Sequence, residues 1–104
     1  MKTSELTDRA LDWAVAEALG TVHKNEDGQY HSWWPSTDWS QGGPIIEREG
    51  IGLWRGYTPT LAWVANKPKG IPFEQHGPTP LVAAMRCYVA SKLGDEIEIP
   101  EELK

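Results

Sequence analysis

One cysteine, Cys87, in 104 residues rules out an intrachain disulfide. Its setting, "AAMRCYVA", suits a packing role in a reducing compartment. No run approaches the ~18 consecutive apolar residues of a membrane span. In "MKTSELTDRALDW" no apolar stretch follows the lysine, so a secretory leader is not expected and a cytoplasmic setting is. Cations are also in short supply, with ten Lys and Arg against fifteen Asp and Glu and a formal charge of -5. Phosphate neutralisation over a broad surface needs clustered Lys and Arg, so extended nucleic acid is not the expected partner. One or two local cations could still hold a small anion. The histidines, His23, His31 and His76, have no metal-ligand spacing, and neither Cys nor carboxylate completes a site. A glycine-rich phosphate loop after a strand, a nucleophile elbow and a distinct acid–base pair of carboxylates are all missing. The expectation is a protein without cofactor or metal, and not an enzyme.

The sequence is rich in tryptophan, with six. Three of them, Trp33, Trp34 and Trp39, crowd into "WWPSTDW" beside a proline and a Ser-Thr-Asp run. Hydrophobic residues make up 39% and charged residues 24%, the balance of a globular chain, and the length suits a single domain over residues 1–104.

Hydrophobic periodicity places three helices. In "SELTDRALDWAVAEALG", Leu6, Ala10, Leu11, Ala14, Val15 and Ala18 share one face, while Asp8, Arg9 and Asp12 share the other. Ser4 or Thr7 could cap this helix, and Gly20 supplies a left-handed stop. In "STDWSQGGPIIEREG", Asp38 and Gln41 have capping-box spacing, and Gly50 is a stop. Pro44 leaves two readings open. A kinked helix runs from Asp38 to Glu49, or a loop ends at Gly43 and a short helix begins at Pro44. The last helix has Thr79 at its cap, Pro80 at its first position and Gly94 as its end. Leu81, Ala84, Met85 and Tyr88 form a stripe along it.

Strands fill the intervals. Asp27-Gly28 marks a hairpin between Thr21–Lys24 and Gln29–Trp34. Alternation over Gly52–Tyr57 and an apolar run over Leu61–Ala65 suggest two more strands, and "NKPKGIP" reads as a loop. The tail "DEIEIPEELK" alternates acid and isoleucine, as an edge strand or an ordered arm would. The fold class is therefore α+β, a small antiparallel sheet of about four strands packed with three helices.

Three stretches, "SELTDRALDWAVAEALG", "PSTDWSQGGPIIEREGI" and "GPTPLVAAMRCYVASKLGDEIEIPEEL", resemble the NinX family of small lambdoid-phage proteins. The wider pattern is similar to small phage domains built as α-β-α sandwiches, with "STD" before one helix and "TP" before the last. The likeness covers both ends and the middle, and departs between about Leu53 and His76. It implies a phage accessory protein in a host bacterial cytoplasm and brings no particular chemistry with it.

Each candidate residue has a plain structural reading beside a functional one. Tryptophans anchor small cores. Adjacent Trp33 and Trp34, however, would point to opposite faces of a strand, which leaves one available to a ligand. Ser36, Thr37 and Asp38 are first of all helix-capping residues. Free N–H groups and hydroxyls at a helix start can also bind ligands, and the Asp38 charge favours a ribose hydroxyl or base edge over phosphate. Arg48 and Arg55 suit surface pairs with acids, or a grip on phosphate and stacking on tryptophan. Arg86 belongs with them, as a cation inside an apolar segment, and Lys67 and Lys69 could close over an anion. The expected ligand-binding set is Trp34, Ser36, Thr37, Asp38, Trp39, Arg48 and Arg55. Its expected occupant is a small nucleotide-like ligand. The alternative partner is one host or phage protein, docked on exposed aromatics and the acidic tail (Asp95, Glu96, Glu98, Glu101, Glu102). A homo-oligomer is a further expectation, since a small sheet with exposed aromatics gains core by pairing.

Overall fold

Helix α3, Pro80–Leu93, organises the molecule, because every residue from Leu81 to Ala90 is buried. A helix apolar on all sides must be enclosed by other elements. In the computed structural model, which describes residues 1–20, 34–59, 62–67 and 74–103, those elements are a sheet and two helices. The sheet has the order β1 (Gly52–Arg55), β2 (Trp63–Asn66), β3 (Gln75–Gly77), and both pairings are antiparallel. α3 packs on all three strands, and α1 (Asp8–Leu19) and α2 (Trp39–Glu49) pack on α3. The core joins Leu6, Leu11 and Val15 from the N-terminal part to Ile45, Ala65, Met85, Tyr88 and Val89.

The α+β class is as expected, but the sheet is smaller. Three strands occur among the described residues, not about four. The hairpin expected over Thr21–Lys24 and Gln29–Trp34 lies outside the described residues, except Trp34, which is not in a strand. β3 lies in the stretch before the last helix, where no strand was expected. It is three residues long, "QHG", too short for alternation to reveal it.

Pro44 sits inside α2, so the continuous-helix reading holds. The Asp38 carboxylate caps α2 by accepting from Ser40 N at 2.9 Å. Gln41 does not complete a capping box; its Oε1 accepts from Trp34 N at 2.7 Å. Asp12, placed on the solvent face by periodicity, is buried at 6% exposure. The tail is an ordered arm. Ile97 N donates to Met1 O at 3.0 Å, Thr3 N donates to Asp95 O at 2.7 Å, and Ile99 and Leu103 are buried.

Two observations give stability tests. A Cβ placed on Gly77 would lie 2.7 Å from the Ala83 backbone N, so β3 meets α3 where only glycine fits. Gly77→Ala should lower stability by about 1–3 kcal/mol, seen as a lower urea midpoint with an unchanged slope. Burial also pushes the Cys87 thiol up to about 11, which leaves it unreactive in the folded chain. Labelling by a thiol reagent at neutral pH should track unfolding, negligible in buffer and complete in denaturant.

Candidate functional site

The N-termini of all three helices meet at one cavity of about 460 Å³. Thr7 and Asp8 come from α1, and Ser36, Thr37 and Trp39 from the entry to α2. Pro78, Thr79, Pro80, Leu81 and Val82 come from the entry to α3. Helix N-termini carry unsatisfied N–H groups and partial positive charge. The α3 end is capped, with Val82 N donating to Thr79 Oγ1 at 3.1 Å. At α1, Thr7 forms no side-chain cap, and Asp8 has a φ of 51°, an unusual value outside glycine.

The 34–37 turn, which carries Ser36 and Thr37 of the wall, is held in place from beneath. Ser36 N donates to the buried Asp12 Oδ1 at 2.8 Å. Thr37 N and Asp38 N both donate to Trp34 O, at 3.1 and 3.0 Å. A Cβ on Gly42 would come within 2.5 Å of Pro35 O and 2.7 Å of Leu81 Cδ2, so glycine lets α2 close onto this turn and onto α3. The result leaves two side chains under-used. The Ser36 hydroxyl is buried beside Asp12, yet its oxygen has no hydrogen bond of good geometry. The Trp39 indole is 55% exposed. Burial raises the Asp12 pKa, and the Ser36 hydroxyl and N–H partly offset that rise.

Ser36, Thr37 and Trp39 of the expected set therefore line one cavity, and the other four residues do not join them. Trp34 is 47% exposed and begins the supporting turn. The Asp38 carboxylate is engaged by Ser40, through its N–H and through its hydroxyl at 2.7 Å. Arg48 pairs with Glu49 at 3.0 Å, at the far end of α2. Arg55 lies 5.3 Å from the Trp63 ring centroid in a cation–π contact on β1 and β2. Lys67 also pairs with Glu49, at 2.7 Å. Lys69 lies outside the described residues, as do Trp33, His23 and His31.

Thr7, Asp8 and Thr79 were missing from the expected set. Each was visible at a helix start, but only the packing of α1, α2 and α3 brings those starts together. The described lining holds hydroxyls, one carboxylate and apolar surface from Trp39, Leu81 and Val82, and no Lys, Arg or His. Such a wall can stack a ring and hydrogen-bond neutral polar groups.

The family model for bacteriophage P22 NinX matches residues 2–92. The chain belongs to the NinX family. Its matched span takes in α1, α2 and all of α3 but Leu93, and with them the three helix entries at the cavity, Thr7–Asp8, Ser36–Trp39 and Pro78–Val82. No curated protein matches the chain. Among the described residues of this NinX-family chain, no helix is long and apolar enough to cross a membrane.

The Asp12–Ser36 contact sets a pH dependence. Asp12 ordinarily titrates near 3.8 and is raised in the fold, so between those values the folded chain binds the proton more tightly. Stability from this group is greatest below 3.8 and falls as pH rises through the raised value. Asp12→Asn keeps an acceptor for Ser36 N and should remove that fall. Asp12→Ala strands the buried N–H and should cost about 1–3 kcal/mol at pH 7. Denaturant midpoints of the three proteins across the acidic range check both.

Proposed function

We propose that this chain is a phage accessory protein, acting in the host cytoplasm, that holds a small nucleotide-like ligand without transforming it. The reading rests on the Trp39 indole, 55% exposed, standing open at a cavity of about 460 Å³ whose wall carries hydroxyls and one carboxylate. The ring of a base stacks on Trp39, and Thr37, Thr79 and Asp8 offer hydrogen bonds to exocyclic and ribose groups. With no cation on the described wall, this cavity recognises the nucleoside part of the ligand. Held stoichiometrically, a nucleotide-derived signal of host defence would be drawn down.

A second reading has its own observation. Trp54 is 43% exposed and Tyr57 99% exposed, near each other in sequence on the β1 side and away from the cavity wall. Aromatic side chains of this kind anchor protein interfaces, so docking on one host or phage enzyme is the alternative.

Calorimetry against a panel of nucleosides and nucleotides separates the two. Under the first reading one class binds, Trp39→Ala weakens it by about 1–3 kcal/mol, and Trp54→Ala leaves it unchanged. The ligand is recovered intact after denaturing the complex. Binding by none of the panel, or chemical conversion of the ligand, defeats this reading.

A further inference from the structure

Arg86 is the one charged residue in the buried stretch Leu81–Ala90 of α3. Its Nε donates to Leu6 O at 2.9 Å and its Nη1 donates to His76 O at 2.7 Å. Both partners are neutral carbonyls. No ion pair to Arg86 forms among the described residues. A guanidinium has five N–H donors and stays charged in proteins, so among the described residues three donors and the whole charge are left over. Desolvation alone lowers its pKa, the mark of a cation deprived of water without a compensating anion.

The leftover donors have somewhere to point. Arg86 lines a cavity of about 360 Å³ together with Ser4, Pro59, Gln75, His76 and Gly77. Pro78 belongs to this wall and to the wall of the Trp39 cavity, so the two hollows adjoin. Glu74 also reaches this cavity. It is 53% exposed, its carboxylate is 3.3 Å from His76 Nε2, and it forms no ion pair with Arg86.

We infer that the Arg86 cavity is an oxyanion site, taking a phosphoryl or carboxylate group on the free guanidinium edge with the Ser4 hydroxyl as a further donor. An oxyanion supplies what the fold withholds. Charge-assisted, forked hydrogen bonds to a planar guanidinium are stronger than neutral ones. The site stands apart from the nucleoside reading, because its argument uses no residue of the Trp39 wall except the shared Pro78.

The test is a titration of the full chain, followed by the Arg86 Nε–H resonance in NMR. Inorganic phosphate, acetate and chloride are added at matched ionic strength. Phosphate or acetate should shift the resonance saturably, and chloride should not. Saturation by phosphate alone assigns a phosphoryl group, and by acetate alone a carboxylate. Arg86→Gln should abolish saturable binding, read by calorimetry. Because that change removes charge from the core, Ser4→Asp serves as the second variant. It leaves Arg86 in place, sets a fixed carboxylate beside it, and should weaken anion binding at least about tenfold. Trp39→Ala should leave anion binding unchanged, which separates failure here from failure of the nucleoside reading. Absence of saturation with both oxyanions, or full affinity in Ser4→Asp, overturns the inference.

Discussion

A helix enclosed on every side must find a partner for each polar group it brings inside, and α3 brings in a guanidinium. The burial of Leu81–Ala90 supplies much of the apolar core, at roughly 1.5–3 kcal/mol for each large side chain fully removed from water. Arg86 works against that gain unless its donors are used. Two of them fasten the chain before α1, through Leu6 O, and the strand β3, through His76 O. The charge on the central helix therefore fixes where the first helix and the last strand sit. Those two positions, with the α2 entry, define the hollows on either side of Pro78.

The two hollows differ in chemistry because of how far each lies from that charge. Around Trp39 the wall is assembled from helix starts, whose own N–H groups and hydroxyls give polarity without a cation. Around Arg86 the wall contains a full positive charge and backbone already committed to it. Arg48 and Lys67, two cations that could have served an anion, are used structurally. Glu49 holds Arg48 and Lys67 and lies 4.0 Å from Lys92, and these contacts draw its pKa below the usual 4.5, the Lys67 hydrogen bond foremost. That cluster joins the end of α2 to the end of β2, away from either hollow.

The sequence made the helices legible because a glycine ends each of them and apolar periodicity marks their buried faces. Asp38, Thr79 and Pro80 stand at the helix starts expected of them. It was silent where tertiary contact decides. Asp12 sits on the polar face by angle alone, and becomes buried because the 34–37 turn folds over it and donates Ser36 N. β3 is shorter than the period that would announce it, and exists because Gly77 permits a close approach to α3. For the site, "WWPSTDW" drew the eye to Ser36, Thr37 and Trp39, and those three share a wall. Arg48 and Arg55 drew attention as cations near apolar segments, a property that sequence neighbours cannot turn into proximity. Arg86 carried the stronger signal, a charge in the middle of "AAMRCYVA". Surrounding residues this apolar leave a charge no route to solvent along its own helix.

The tryptophans divide by burial. Trp13 and Trp63 are partly buried and pack against the core, where large aromatic area contributes directly to stability. Trp39 stands at the first position of α2, more than half exposed, and contributes far less to that end. Single exposed apolar residues are ordinary on protein surfaces, so exposure alone argues nothing. What distinguishes Trp39 is its company. It shares a concave wall with a buried hydroxyl that lacks a well-formed hydrogen bond, and with a backbone held at an unusual φ at Asp8. Backbone held in that region costs stability. Open aromatic surface at the point where three helix starts converge is what the proposed nucleoside site rests on.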